Sequence, residues 1–219
     1  MSLLCVYCLL NEADTEDHVV PEGFFENAPD GGYIKVPACY QCNNSFSRDE
    51  EYFLVAVLAE ATEQSSTANR VLDQLAADHR SGKRRRTGLA VALLEQVRPV
   101  DVHSPGGVFF GSGQGRALDT PRVNHVLERI VRGLFFHHFR RPLPRDATVY
   151  VEIKPDSDRL RSRVIAGALS QSPTFLGAVL MYRLYVASDS EVATSWAFGF
   201  FDAVLAIGVR RPPKAAGVM

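Results

Sequence analysis

Hydrophobic positions change their period along this chain, and each change marks an element. Phe46, Phe53, Leu54 and Val57 recur at helical spacings within "NNSFSRDEEYFLVAVLAEAT", which predicts a helix opening just after Cys42. Residues 60–95 continue as helix, with Val71, Leu72, Leu75 and Ala76 on one face and "GKRRRTG" in a loop. The clearest helix starts at Thr120, read as the N-cap, with Pro121 at the first helical position. Val123, Val126, Leu127, Ile130, Val131 and Leu134 form its apolar stripe, and His137 and His138 close it where positive charge suits the helix dipole. The last third shifts to aromatic and β-branched residues in partial alternation: "ATVYVEI", "FLGAVLMYRLYVA", "ATSWAFGFF" and "AVLAIGVRR" read as strands. "RPVDVHSPGGVFFG" reads as a hairpin turning at Pro105 to Gly107. The following "GSGQG" reads as a turn, because no phosphate-binding helix pattern follows it.

Before residue 46 the elements are shorter. His18 to Pro21 reads as a strand that Pro21 helps to end, "NAPDGG" is dense in turn residues, and "YIKVPA" returns as a second strand. The expected fold class is therefore α+β. A small N-terminal unit over residues 1–55 precedes a region over residues 56–219 in which helices pack on an antiparallel sheet.

Composition narrows the function classes. The chain has 219 residues, 46% hydrophobic and 22% charged, with a net charge of -1, so its surface as a whole is not built to coat nucleic acid. "MSLLCVYCLL" lacks a positive leading segment and does not read as a signal peptide. The apolar run from Val192 to Val209 carries Asp202 near its middle and reads as two buried strands joined at Phe201-Asp202, not as a membrane span. A cytoplasmic, reducing compartment is the default expectation, with no membrane partner.

All four cysteines fall in the first 42 residues, as two pairs: Cys5 with Cys8, and Cys39 with Cys42. In a chain without a secretion signal, two CxxC knuckles point to a four-thiolate structural zinc site ahead of two disulfides. Such a zinc would pin the opening knuckle to the helix after Cys42, with "EDHVVP" on the hairpin between them. Asp17 and Asn43 offer hard oxygen ligands of the kind Mg²⁺ takes, and His18 can accept a proton from water near neutral pH. On a regular strand Asp17 and His18 point to opposite faces, so they converge only if the backbone is irregular. The residues alone leave this trio evenly poised between catalysis and accident.

The run "CVYC…EDHVVP…VPACYQCNNSF" resembles the HNH endonucleases, in the branch with four zinc-binding cysteines, over roughly residues 1–50. The resemblance implies a ββα-metal motif on a treble-clef zinc scaffold and metal-dependent cutting of nucleic acid. It matches Cys5, Cys8, Cys39 and Cys42 to the zinc ligands and His18 to the general base. Asp17 and Asn43 match the ligands of a catalytic Mg²⁺ or other divalent cation. Ile34 stands where family members usually carry an Asn that orients the base. The lysine often found after the second CxxC is missing, with Arg48 the nearest positive group.

The implied partner is DNA. Lys35, Arg48 and the loop residues Lys83, Arg84, Arg85 and Arg86 are the expected phosphate contacts, although such a basic run is usually only a solvated turn. A homodimer is compatible with the sequence, and restriction or phage defence is the role the resemblance suggests. The alternative is a non-catalytic treble-clef module that binds nucleic acid or protein.

Overall fold

The computed structural model describes residues 3–62, 64–82, 98–104, 106–115, 118–154, 172–186, 194–202 and 204–211. It is an α+β fold in which a zinc-module-sized hairpin, a central pair of helices and a five-stranded sheet share one apolar core.

The N-terminal hairpin pairs β1 (Thr15–His18) with β2 (Lys35–Ala38), antiparallel and in unbroken register from Thr15↔Ala38 to His18↔Lys35. β1 thus starts three residues before the expected position and ends where the expected strand began. Thr15 fixes that register with a second bond, its Oγ1 donating to the Ala38 carbonyl at 2.8 Å. A short 3-10 turn over Glu22–Phe24 drops Phe24 into the core. After β2 comes α1 (Tyr40–Ser45), whose N-cap is Cys39, and a kink at Phe46 leads into α2 (Ser47–Ala61). The boundary expected at residue 55 falls inside α2.

Tyr52 to Leu58 are seven successive buried residues, so α2 is enclosed on nearly every side. It runs between the hairpin unit, α3 (Ser66–Arg80) and α4 (Thr120–Phe139). Of the residues expected on the apolar face of α3, Val71 and Leu75 are buried and Leu72 partly so, whereas Ala76 is exposed; the expected stripe of α4, from Val123 to Leu134, is buried. The α4 cap differs by one residue. Asp119 is the N-cap, its Oδ1 accepting from the Arg122 amide at 3.3 Å, and Thr120 is the first helical residue. An aspartate side chain reaches the amide three residues on as a threonine would, and the carboxylate also suits the positive end of the dipole.

β3 (Arg98–His103) and β4 (Phe109–Gly115) form a separate antiparallel ribbon. The "GSGQG" segment lies within β4 and is not a turn. Its Gly115 faces Val100 so closely that a Cβ would come within 2.8 Å of that side chain, so a small residue allows the strand to pair. The remaining strands are β5 (Thr148–Lys154), β6 (Thr174–Leu176), β7 (Leu180–Val186), β8 (Thr194–Phe200) and β9 (Val204–Arg211). They form one antiparallel sheet in the order β5-β9-β8-β7-β6. "FLGAVLMYRLYVA" is two strands, broken at Gly177 by a tight turn, because only a left-handed φ of 56° closes β6 onto β7 there. The run from Val192 to Val209 gives β8 and β9, with Phe201 and Asp202 both left-handed at the turn, at φ of 52° and 59°. Among the described residues no helix is long and apolar enough to cross a membrane.

Aromatic rings join the layers. Phe24 of the N-terminal unit lies 5.6 Å from Phe53 of α2, and Phe53 meets Phe200 of β8 edge-on at 5.3 Å. On the other side of the hairpin, Gly133 of α4 sits against Val19, the residue after His18. A Cβ at Gly133 would lie 2.7 and 2.9 Å from the two Val19 methyls. Gly133→Ala therefore lowers stability by about 1–3 kcal/mol through overpacking, despite a gain of ~1 kcal/mol in helix propensity. Urea denaturation measures this, and Val19→Ala added to Gly133→Ala recovers most of the loss. Unchanged stability in the single variant would refute the close approach.

Candidate metal centre and the hairpin it holds

The four cysteines come together as free thiols, and their sulfurs all lie within 4.8 Å of one another. Sulfurs at the corners of a tetrahedron around zinc, with Zn–S near 2.3 Å, stand about 3.8 Å apart. Cys8 and Cys39 Sγ are 3.9 Å apart. The spacing fits zinc and is far too long for a disulfide. Local chain geometry prepares both knuckles. Leu9, just after Cys8, adopts a left-handed φ of 55°, and its amide donates to the Cys5 carbonyl at 3.0 Å. The Cys42 amide donates to Cys39 Sγ at 3.5 Å, and Asn11 Nδ2 does so at 3.7 Å.

The thiols differ in acidity. Burial acts to raise Cys39, yet the Cys42 amide and the Asn11 side chain hold it down to about 7. Burial pushes Cys5 up, and burial together with its bond to Cys39 pushes Cys42 well up. Cys39 would thus be the thiolate most readily available to a Zn²⁺ held by the four sulfurs, and such an ion would stabilise the other three as thiolates.

The zinc knuckles position the hairpin and α1. Val6 of the first knuckle donates its amide to the Pro37 carbonyl of β2 at 3.0 Å, and Asp14 Oδ1 accepts from the Tyr40 amide at 2.6 Å. Asn43, directly after the last cysteine, faces the hairpin as its place in the helix implied. Its Nδ2 donates to Thr15 Oγ1 and to the Glu16 carbonyl, each at 3.2 Å.

Asp17 and His18 do not converge. β1 is regular, so the two side chains leave opposite faces. His18 is half-buried on one face, with its ring edge-on to Tyr33 at 4.8 Å. Ile34 offers no polar side chain there, and its carbonyl is already taken by the Val19 amide at 2.9 Å. Asp17 lies on the other face and is only 5% exposed.

What Asp17 meets is a residue that the sequence reading left out. Arg129 of α4, 112 positions away, donates from Nε to Asp17 Oδ2 at 3.2 Å, and its Nη2 lies 2.6 Å from the same oxygen. Tyr7, inside the first knuckle, donates its hydroxyl to Oδ2 at 2.6 Å. The Arg129 Nη1 donates to the Cys42 carbonyl at 3.1 Å and stands 3.6 Å from Glu50 Oε1. The guanidinium is stacked between Tyr7 and Phe46, 4.6 and 4.2 Å from their ring centres. Burial and the Asp17 charge push the Tyr7 hydroxyl well above its ordinary value. One signal was available in the sequence: Arg129 interrupts the apolar stripe of α4 between Leu127 and Ile130, where an arginine must find a buried partner.

Of the expected phosphate contacts, the described residues include Lys35 and Arg48. Lys35 is exposed opposite His18 in the hairpin register, and Arg48 is exposed at the start of α2. Lys83, Arg84, Arg85 and Arg86 lie outside the described residues.

Two outcomes follow. The purified protein carries one zinc per chain by elemental analysis. Cys39→Ala loses it together with the hairpin's share of a coupling that is on the order of 10 kcal/mol in isolated zinc modules. Full stability in zinc-free Cys39→Ala would refute the scaffold role. Separately, Arg129→Ala costs about 3–5 kcal/mol because it strands a buried carboxylate, whereas Asp17→Leu with Arg129→Met costs much less than the two single changes summed. Additive losses in that double-mutant cycle would show that the pair is not coupled.

A comparison of the chain with family models, curated proteins and solved structures finds no match.

Proposed function

We propose that this chain is a zinc-stabilised, metal-dependent endonuclease of the HNH type that hydrolyses DNA phosphodiester bonds. The observation that carries the reading is the clasp between Asn43 and the strand that bears Asp17 and His18, formed beside four converging thiols. Four cysteines close together, a two-stranded hairpin and a helix after the second CxxC support the reading, with Asn43 bonded to the strand that carries Asp17 and His18.

In this reading His18 is the general base. It is half-buried and held against Tyr33, which limits the ring's rotation without supplying a hydrogen bond. Asn43 uses its amide nitrogen to hold the hairpin and keeps its carbonyl oxygen available as a ligand. Lys35 and Arg48 approach the DNA backbone from the exposed side. A divalent cation, when bound, supplies the positive charge that stabilises the departing oxygen. Asp17 has the right chemistry for such an ion, but its carboxylate is engaged by Arg129 and Tyr7 as the structure stands.

That engagement favours a second reading. A zinc module whose acidic residue is permanently neutralised would bind nucleic acid or protein without cutting it.

Plasmid cleavage with Mg²⁺ or Mn²⁺ decides between the two. The nuclease reading expects cleavage by the zinc-loaded protein and a loss on the order of 100-fold or more in His18→Ala, the usual contribution of a general base. Equal cleavage by both proteins, or none with any metal, overturns it. Salt-sensitive DNA binding without turnover would then support the second reading.

A further inference from the structure

Two groups beside α4 are each set in place by their neighbours and keep an outward donor unused. His125 is the first. Its Nδ1 lies 3.0 Å from Asp49 Oδ2, and its ring packs against Phe46 with centres 4.3 Å apart. Asp49 is oriented in turn by Arg122, whose Nε donates to Oδ1 at 2.8 Å and whose Nη2 donates to the Arg48 carbonyl at 2.9 Å. Burial acts to raise Asp49, but its bonds to Arg122 and His125 hold the carboxyl below its ordinary value. An ionised carboxylate only accepts, so Nδ1 carries the proton, and Nε2 has no partner among the described residues.

Arg145 is the other group. It lies in a turn from Pro144 to Ala147, closed by the Ala147 amide donating to the Pro144 carbonyl at 3.0 Å. Arg132 of α4 clamps that turn, its Nη1 and Nη2 donating to the carbonyls of Pro144 and Ala147 at 3.4 and 3.1 Å. Arg145 itself is exposed and has no partner among the described residues. Both groups line one cleft of about 200 Å³ beside the kink at Phe46. Pockets that enclose drug-sized ligands start at roughly 300 Å³, so this one suits a single small group. Three arginines and His125 share its walls with one carboxylate, Glu128. Arg129 is engaged by Asp17, and Arg132 by Glu128 at 2.9 and 3.0 Å. The Arg145 charge is left without a counterpart.

We infer that this cleft binds a phosphate group, held by the Arg145 guanidinium and by Nε2 of protonated His125. A guanidinium offers parallel N–H donors that match phosphate oxygens, and a tetrahedral group can meet donors on two walls at once. The inference goes beyond the proposed nuclease site. Neither residue belongs to the trio of Asp17, His18 and Asn43 or to the expected phosphate contacts, and no divalent cation is needed. Glu128 is the opposing charge on the wall, and it weakens the hold on an anion. The group can arrive as a backbone phosphate of DNA or as a free phosphate, and the experiment separates the two.

The zinc-loaded full chain, without Mg²⁺ or Mn²⁺, is titrated with inorganic phosphate by phosphorus NMR and with a short DNA duplex by fluorescence anisotropy. Arg145→Gln is expected to weaken phosphate binding at least about tenfold, the worth of one hydrogen bond to a charged group. His125→Gln weakens it by a similar factor, and Glu128→Gln tightens it by removing a like charge from the wall. Arg80→Gln, at an exposed arginine of α3 outside the cleft, leaves it unchanged. Arg145 is exposed, so Arg145→Gln keeps the melting temperature of the unaltered protein. If the duplex follows the same order, and Arg145→Gln lowers the salt slope of its affinity by about one, the group is a backbone phosphate. Duplex binding indifferent to Arg145→Gln, with inorganic phosphate binding weakened, assigns it to free phosphate. No saturable binding of either probe, equal losses in Arg145→Gln and Arg80→Gln, or weaker binding in Glu128→Gln overturns the inference. Acetate that displaces phosphate at equal concentration overturns it too. No cleavage is read, so a failed plasmid assay sinks the nuclease reading and leaves this one standing.

Discussion

The buried pair of Asp17 and Arg129 is the contact on which the relation between the two halves of this chain depends. A carboxylate 5% exposed cannot remain charged alone, because its desolvation costs several kcal/mol unless an opposite charge and hydrogen bonds replace the water. Asp17 obtains both from elements far apart in sequence, a tyrosine in the first zinc knuckle and an arginine in α4. Arg129 in turn reaches the carbonyl of a zinc ligand and a carboxylate of α2. Knuckle, hairpin, α1, α2 and α4 are therefore held at fixed distances by one charge. Hydrophobic contacts tolerate sliding, whereas a network of directed bonds around a buried ion does not. One turn further along α4, Gly133 makes a close approach to Val19 on the same hairpin.

Zinc and the apolar core divide the remaining work. The hairpin is only four residues per strand, too short to be stable by itself, and Leu3, Leu4 and Leu10 around its first knuckle are exposed instead of packed. Four thiols within 4.8 Å stand where a bound metal ion would fix the loop ends of the hairpin. Beyond the knuckles, Val6, Val19, Phe24 and Val36 enter the same core as α2, α4 and the sheet. The N-terminal unit thus has a metal-compatible thiol cluster at one end and core packing at the other. Asp17 sits at the border between the two regimes, where burial is complete but water is close by through the cleft.

This division explains what the sequence disclosed. The cysteine spacing, the helical stripe of α4 and the β-rich last third carry their signals locally, in residues a few positions apart, and the structure has a zinc-compatible cluster, a long helix and an antiparallel sheet at those places. Errors arose where a local signal has two solutions. Asp119 and Thr120 are both good N-caps, and only the chain entry chose between them. The glycines of "GSGQG" permit a turn, yet they also permit a strand to pair with the bulky Val100, and pairing prevailed. The trio at the candidate site was legible as residue types. Its geometry was not, because the partner of Asp17 lies 112 positions away and no short-range pattern encodes that distance.

The two faces of β1 impose a further constraint on any chemistry at this hairpin. His18 and Asp17 are one residue apart, yet the unbroken register places the imidazole on the Tyr33 side and the carboxylate on the α4 side. A reaction that uses both must straddle the strand, with the attacking water near His18 and the stabilising charge reaching around the strand's end. Asn43 ties α1 to this strand, its amide donating to the Glu16 carbonyl and the Thr15 hydroxyl. The position after the second CxxC therefore has a geometric role as well as a chemical one. An asparagine there can donate to the strand and still present an oxygen, whereas a histidine of fixed tautomer divides those two tasks between its ring nitrogens. In a hairpin that lacks an orienting side chain at Ile34, Asn43 holds the strand that carries His18 while the Tyr33 ring lies against the imidazole.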